Sequence, residues 1–191
     1  MYGGRVEVAA YNQMCYDAVT LGNHELDNGV DSLSARLREA RFEVVCANYD
    51  VTGTPLEGIV KKTAIFERDD WRVGVIGLGV NPEGLILKSN FVGVKYLDPI
   101  SIANHYADSL KNSCGCDLVV ILSHLGSAYD AENANPSDEL LAANSRSIDV
   151  IMGGHTHKQV CKKCVNLDGD SVLLMQSGKS GAYLGKIKLT K

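Results

Sequence analysis

Three short motifs in this chain share one layout: an apolar run, then Gly or Ser, then side chains that bind metal ions or move protons. They occupy residues 17–25, 118–126 and 149–157 and read DAVTLGNHE, LVVILSHLG and DVIMGGHTH. Buried strands of an α/β sheet that end in this way place their last side chains together at the carboxyl edge of the sheet. Three such segments in order therefore predict one metal-dependent site.

The second and third motifs supply imidazole ligands. His155 and His157 are two residues apart, so an extended backbone would point both rings to the same side. Neutral imidazole suits zinc, manganese, iron and nickel. With His124 and the amide of Asn23 at equivalent strand ends, we predict these four residues as metal ligands. The alternatives are a polar turn at the His-x-His pair and, at His124, a core histidine bonded to the backbone.

The first motif also carries candidates for proton transfer. Because Asn23 and His24 are neighbours, His24 points away from the ligand position, and we predict that it acts as an acid or an electrostatic stabiliser. Asp27 lies three residues further on and is expected to turn back and hold the tautomer and charge of His24. The alternative interpretation of Asp27 and Asn28 is simple capping of the helix that follows.

The overall composition is that of an ordinary globular chain. Its 191 residues are enough for one domain with a core, because 45% are hydrophobic and 22% are charged. A formal net charge of −4 disfavours binding to nucleic acid. No apolar run is long enough to span a bilayer, and residues 1–7 show no signal peptide. The location stays open, being periplasmic or extracellular if the whole protein is exported.

The cysteines and one glycine-containing turn admit other interpretations. Cys161 and Cys164 form a CxxC that fits a redox pair, half a zinc site or, as we prefer, an incidental hairpin pair that can form a disulfide. Cys114 and Cys116 have a spacing that fits the second half of a zinc site poorly. The segment Gly77-Leu-Gly79 has only the outline of a dinucleotide-binding loop, so an oxidoreductase is the poorest functional hypothesis.

Helical and apolar extended segments alternate along the chain, which predicts an α/β fold with additional antiparallel pieces near the carboxyl end. Helices are expected at residues 4–15, from 28 or 31 to 40, 100–112 and 136–144. Strands are expected at residues 17–21, 42–47, 63–66, 71–78, 118–122, 149–152, 171–176 and 183–189. The first helix is expected to carry Val6, Ala9, Ala10, Met14 and Gln13 near one face.

Taken together, these residues resemble the calcineurin-like metallophosphoesterases. The resemblance rests on three groups of residues: Gly22-Asn-His-Glu25 with Asp27, Ser123-His124, and Gly154-His-Thr-His157. The strings YDAVTLGNHELDNG at 16–29 and CANY at 46–49 are similar to the 5′-nucleotidase/UDP-sugar hydrolase branch. The resemblance implies a four-layer α-β-β-α sandwich over residues 1–191 and a site for two divalent metal ions.

The same resemblance implies a role for each motif residue. It implies four metal ligands, three on one ion and one on the other: Asn23, His124 and His155, and then His157. His24 matches the catalytic histidine that stabilises the transferring phosphate or its leaving group, and Asp27 matches its partner. The implied chemistry is in-line attack of a metal-activated water on nucleoside 5′-monophosphates or related phosphate esters. The implied metals are Mn, Zn, Fe, Co or Ni.

The sequence departs from the family pattern in its carboxylates. The family opens with Asp-x-His and then Gly-Asp, whose carboxylate bridges the two ions. No Asp-x-His occurs in this sequence, and its one Gly-Asp, Gly169-Asp170, falls in an expected late turn. The expectations are therefore a domain without its first strand–helix units, at most one weakly bound ion, and little activity of this chain alone. The family's C-terminal nucleotide-binding domain is expected either on a separate chain or not at all.

A second hypothesis is a non-catalytic metal-binding or assembly module that pairs with a separate chain. Missing strands would leave an unprotected sheet edge, and exposed edges favour pairing with another chain or self-association.

Overall fold

The computed structural model describes residues 3–130, 132–133 and 135–190. The expected domain span of 1–191 therefore includes five residues outside the described part: Met1, Tyr2, Ala131, Ala134 and Lys191. The α-helices are α1 (Arg5–Gln13), α2 (Gly29–Leu37), α3 (Pro99–Asp108) and α4 (Asp138–Ala143). The strands are β1 (Ala18–Thr20), β2 (Glu43–Val45), β3 (Tyr49–Asp50), β4 (Val60–Lys61), β5 (Thr63–Arg68), β6 (Trp71–Leu78), β7 (Lys95–Tyr96), β8 (Leu118–Ser123), β9 (Val150–Gly153), β10 (Gln159–Val165) and β11 (Ser171–Ser177). Within the described residues, every helix is too short or too polar to cross a membrane.

Two sheets face each other inside the molecule. The larger has six strands in the order β10-β11-β9-β8-β6-β5, with the four central strands parallel and both edge strands antiparallel. The smaller has three parallel strands in the order β1-β2-β4, and β3 pairs separately with β7. Val45, Val75, Val120 and Val150 are buried together between the sheets. This inter-sheet core holds β1 close to the ends of β8 and β9.

Helices cover the outer face of each sheet. Ala103 and Ala107 of α3 and Leu141 of α4 are buried against the six-stranded sheet. Leu33 and Leu37 of α2 are buried against the three-stranded sheet. Each such leucine contributes about 1.5–3 kcal/mol by leaving water. The layers run helix, sheet, sheet, helix, so the predicted four-layer α/β sandwich is confirmed.

The close approach of the two sheets requires glycine at two positions. A Cβ atom at Gly77 in β6 would collide with the backbone of Val45, and one at Gly79 would lie 2.5 Å from the ring of Tyr49. Asn48 is fully buried and joins the sheets, donating to the Gly79 carbonyl and accepting from the Gly79 N–H, both at 2.8 Å. These glycines therefore serve sheet packing, which removes the basis for the dinucleotide-loop interpretation.

The residues expected to share one face of α1 are not the ones that pack against the rest of the molecule. Val6 and Met14 are 54% and 57% exposed, whereas Val8 is buried. Three residues after Val8, the ring of Tyr11 packs edge-on against Phe42, with 5.9 Å between ring centroids. The helix has two apolar stripes, and its own spacing cannot tell which stripe meets the rest of the molecule.

The expected last strand, at residues 183–189, is also wrong. The described structure assigns residues 178–190 to none of its strands. Tyr183 and Leu184 are 64% and 93% exposed, and Ile187 alone packs against the inter-sheet core. A strand requires a partner for its backbone N–H and C=O groups, and the described strands do not pair with this segment.

The hairpin of β10 and β11 accounts for two ambiguous motifs. Cys161 and Cys164 lie on β10, so the expected place of the CxxC in a hairpin is confirmed, and the six cysteines, all within the described residues, are not joined by disulfides. The Gly169-Asp170 pair lies in the turn of this hairpin, where the Asn166 side chain accepts from the backbone N–H of Asp170 at 2.8 Å. The Gly-Asp pair is therefore a turn element, as expected.

Candidate functional site

The ends of β1, β8 and β9 bring three predicted ligands together. His124 Nε2 lies 3.1 Å from Asn23 Oδ1, although the two residues are 101 positions apart. The rings of His124 and His155 have centroids 5.1 Å apart and planes tilted by 60°. Because β8 and β9 are parallel neighbours, their carboxyl ends lie side by side. Asn23 follows β1 of the other sheet, so the site lies where the two sheets meet.

The ring of His124 lies close to two glycines, Gly22 and Gly154. A Cβ atom at Gly22 would lie 2.7–2.8 Å from three atoms of the ring. A Cβ atom at Gly154 would lie 3.1 Å from His124 Nδ1. The glycines that precede Asn23 and His155 are therefore required by the close approach of this ring.

Burial and neighbouring histidines keep the candidate ligands neutral. Burial, together with the charges of His155, His24 and His157, lowers the pKa of His124 to about 4, and burial is the largest of these causes. Burial also lowers the pKa of His155, with further effects of His157 and His24. These mutual effects place all four histidines in one electrostatic neighbourhood. At neutral pH His124 is therefore the uncharged imidazole that binds metal ions.

His24 and Asp27 form a pair at the surface of the site. His24 Nδ1 lies 2.8 Å from Asp27 Oδ2, and the side chains are 81% and 50% exposed. An Nδ1–H that donates to the carboxylate leaves Nε2 as the nitrogen that can exchange a proton. Asn28 occupies the N-cap position of α2 and makes no side-chain capping bond within the described residues. The structure thus directs the Asp27 carboxylate to His24, which is the arrangement that the proton-transfer hypothesis requires.

Two further residues shape the turn that carries Asn23 and His24. Glu25 Oε2 accepts a hydrogen bond of 2.7 Å from the Gly22 N–H. Leu26 is fully buried and anchors the short 3₁₀ turn His24–Leu26 in the core beside α2. The turn therefore holds Asn23 inward while His24 stays exposed.

The segment after β9 differs from its expected extended form. His155 has φ 70° and His157 has φ 57°, so both have left-handed backbone. The argument that an extended backbone points both rings to one side is therefore wrong. The His155 ring contacts the His124 ring, whereas His157 is exposed. Left-handed backbone costs about 1–2 kcal/mol for each such residue, so surrounding contacts must stabilise this loop.

The donor set fits one metal ion in part. Donors bound to one zinc ion at about 2.0–2.2 Å lie roughly 3.0–3.5 Å apart, and the 3.1 Å between Asn23 Oδ1 and His124 Nε2 matches that spacing. Across the described residues, however, no group of three or more His, Cys, Asp or Glu side chains is arranged to hold a metal ion. The predicted ligands therefore offer imidazole and amide donors to one ion, without a carboxylate to balance a second dication.

Sequence reasoning missed two buried side chains behind the site. Asp138 accepts a 2.5 Å hydrogen bond from Ser123, and burial raises the pKa of this carboxyl to about 7 against the opposing effect of that bond. Gln176 is 4% exposed and reaches the loop that carries His155. A partial signal was present, because Gln176 directly follows the apolar run 172–175 of β11 and precedes Ser177-Gly178.

Comparisons with known proteins yield relatives and similar structures, whereas no family model matches the chain. The 5′-nucleotidase of Vibrio parahaemolyticus is 34% identical over 195 residues, which cover 90% of this chain and 34% of that protein. The crystal structure of the 5′-nucleotidase precursor from Thermus thermophilus superposes with a TM-score of 0.80 and 30% identity, covering 94% of this chain and 36% of that one. The calcineurin-like phosphoesterase YfkN from Bacillus subtilis superposes with a TM-score of 0.69 and 25% identity, covering 90% and 57%.

The chain belongs to the 5′-nucleotidase branch of the calcineurin-like phosphoesterases, so the predicted family is confirmed. This is a family of hydrolases that generally use divalent metal ions. The chain spans 34% and 36% of the length of the Vibrio and Thermus relatives. In both relatives the matching region is part of one longer polypeptide, so the expected separate chain for a C-terminal nucleotide-binding domain is not supported.

Proposed function

We propose that this chain provides metal ligands and a proton-transfer pair for hydrolysis of phosphate monoesters, with nucleoside 5′-monophosphates as the substrate class. The observation that carries this proposal is the meeting of Asn23, His124 and His155 next to the ordered pair His24–Asp27. The relatives named 5′-nucleotidase support the substrate class.

The metal-binding part of the proposal assigns ligands from two sheets. Asn23, His124 and His155 bind one divalent ion, and His157 lies on the same loop for a second. Mn, Zn, Fe, Co and Ni are the candidate metals, because neutral imidazole suits these ions. A bound ion would polarise a phosphoryl oxygen and activate water.

The exposed pair supplies the proton. His24 Nε2 faces away from the bond to Asp27, so a protonated His24 donates to a phosphoryl oxygen or to the leaving group. Asp27 keeps the proton on Nδ1 and stabilises the imidazolium charge. The 81% exposure of the His24 side chain leaves it accessible to a substrate.

We further propose that the 191 residues alone have low activity. Two dications and a phosphate require negative ligands near the metals to balance the charge, and the four predicted ligands are neutral side chains. An Asp-x-His and a bridging Gly-Asp carboxylate would supply this balance.

Turnover of a nucleoside 5′-monophosphate with added Mn, Zn or Co tests these proposals. The chain alone is compared with a version extended at its amino end by a segment that carries Asp-x-His and Gly-Asp. We expect turnover only by the extended version and its loss in His24→Ala. His105→Ala is the matched control, because His105 is an exposed histidine on α3. Robust turnover by the chain alone would overturn the proposal of low activity, and turnover unaffected by His24→Ala would reject the catalytic assignment.

The location proposed for the whole protein is the periplasm or the outside of the cell. The support is that the Thermus relative is named a 5′-nucleotidase precursor. Cell fractionation tests this, and retention in the cytoplasm would reject it.

A second candidate function, assembly with another chain, is favoured by a groove beside β1. The outer edge of β1 pairs with none of the described strands, and a groove of about 300 Å³ adjoins it. The groove is mostly apolar and is lined by Ala18, Phe66, Val73, Val75, Val120, Leu122 and Met152, with Asp17 and Arg68 at one side. We expect concentration-dependent association in light scattering, which a charged substitution at an exposed residue of the groove, Met152→Lys, abolishes. A monomer at all concentrations would reject this function.

A further inference from the structure

The loop that carries His155 and His157 is held by one buried amide from the neighbouring strand. In the parallel register of β11 and β9, Gln176 lies opposite Gly153, directly before the loop. Gln176 Nε2 donates to the Gly154 carbonyl at 2.5 Å. Gln176 thus extends from β11 to Gly154, where the loop begins.

The oxygen of the same amide holds the far side of the loop. Gln176 Oε1 accepts from the Lys158 N–H at 2.7 Å and from the Thr156 hydroxyl at 3.0 Å. The orientation of the amide is unambiguous, because the Lys158 N–H can only donate and the Gly154 carbonyl can only accept. The Gln176 side chain thus bonds to both ends of the loop 154–158, in which His155 and His157 have left-handed backbone.

Thr156 continues this hydrogen-bond network to the loop that carries His124. Its hydroxyl proton goes to Gln176 Oε1, and its lone pairs accept from the Ser127 N–H at 3.1 Å and the Ser127 hydroxyl at 3.0 Å. Ser127 is buried three residues after His124. These hydrogen bonds link the His155 loop to the His124 loop through Thr156 and Ser127.

We propose that Gln176 is a positioning residue that holds the His155–His157 loop in its left-handed, ligand-presenting conformation. This proposal rests on the proposed metal-binding function. The bonds of the amide offset the cost of the two left-handed residues, and they are made to backbone and hydroxyl groups only. Gln176 is therefore proposed to act through the loop and not as a ligand itself.

The test compares three variants of the chain in two measurements. Gln176→Met keeps the shape and removes all three bonds, Gln176→Glu keeps the acceptor and removes the donor, and Val172→Ala is the matched control. Val172 is fully buried on the same strand, so its truncation weakens the core without touching the loop. The measurements are the backbone Cα chemical shifts of His155 and His157 in the metal-free chain and the affinity for zinc alone by calorimetric titration.

We expect Gln176→Met to move both Cα shifts away from left-handed values and to weaken zinc binding about 10–100-fold, the usual effect of losing a residue that orients a ligand. Gln176→Glu should fall between Gln176→Met and wild type, and Val172→Ala should lower thermal stability while leaving shifts and affinity unchanged. Unchanged shifts and affinity in Gln176→Met would overturn the proposal. So would a Val172→Ala variant that reproduces both changes. If the wild-type chain binds no zinc, the metal function is rejected, and the Cα shifts alone decide the role of Gln176.

Discussion

Substituting Gly22 by alanine is the most direct test of how the site is built. The new methyl group would lie 2.7–2.8 Å from three atoms of the His124 ring. Carbon atoms prefer separations of about 3.5–4.0 Å, so the ring would have to move by roughly 1 Å. Gly154 also lies close to the ring, since a Cβ atom there would stand 3.1 Å from His124 Nδ1.

The expected cost of Gly22→Ala has two parts. Overpacking a buried site costs about 1–3 kcal/mol, which lowers the Tm of a domain of this size by roughly 2–12 °C. A shift of about 1 Å also stretches the 3.1 Å contact between His124 Nε2 and Asn23 Oδ1 beyond hydrogen-bond distance. We therefore expect zinc affinity to fall at least about 10-fold, in line with losses of ligand orientation.

Thermal unfolding by circular dichroism and zinc titration measure these two effects. Gly185→Ala is the matched control, because a Cβ atom there meets its nearest neighbours at 3.7–3.8 Å, an ordinary contact. That variant should stay within about 0.5 kcal/mol of wild type. If Gly22→Ala leaves both the Tm and the zinc affinity unchanged, the close packing of the His124 ring against Gly22 is refuted.

Three further predictions concern pairs behind and beside the site. The pKa of Asp138 is raised to about 7, so the folded chain keeps a proton that the unfolded chain releases near pH 4. The free energy of unfolding should therefore fall as the pH rises from about 4 to about 7. Asp138→Asn should flatten this pH dependence in urea unfolding, and an unchanged slope would contradict the assignment. Asn48→Ala removes two buried hydrogen bonds to Gly79 and should cost about 2–5 kcal/mol in denaturant unfolding, whereas a loss under about 1 kcal/mol would show that water replaces the amide. Asp27→Asn should leave the Tm nearly unchanged, because its partner His24 is exposed. The substitution should nevertheless alter the tautomer of His24 seen by ¹⁵N NMR. An unaltered tautomer would argue against Asp27 as the group that orients His24.

Local patterns predicted most elements of the fold, and the failures have identifiable causes. The strands β5, β6, β8 and β9 were predicted from apolar extended runs. The face of α1 and the segment 183–189 were not, because each depends on which neighbour is present to pack or pair with it. Periodicity reports that a segment has an apolar face, and it carries no information about what covers that face.

In the candidate site, too, some residues could be predicted from the sequence and others could not. The motifs predicted Asn23, His24, His124, His155 and His157 as candidates, because metal ligands and acids are restricted to a few residue types. The supports stayed hidden because amide and carboxyl side chains such as Gln176 and Asp138 are common in sequences and gain meaning only from their contacts.

By itself, the sequence determined the residue types of the site, the strands that end in them and the family to which the chain belongs. The tertiary structure decided how these pieces meet. It joined Asn23 of one sheet to His124 of the other across 101 residues, and it gave the His155 loop a left-handed form that residue spacing did not predict. The physical reason is range: helix and strand preferences act over a few neighbouring residues, whereas the position of a ligand depends on close packing between segments that are distant in the chain.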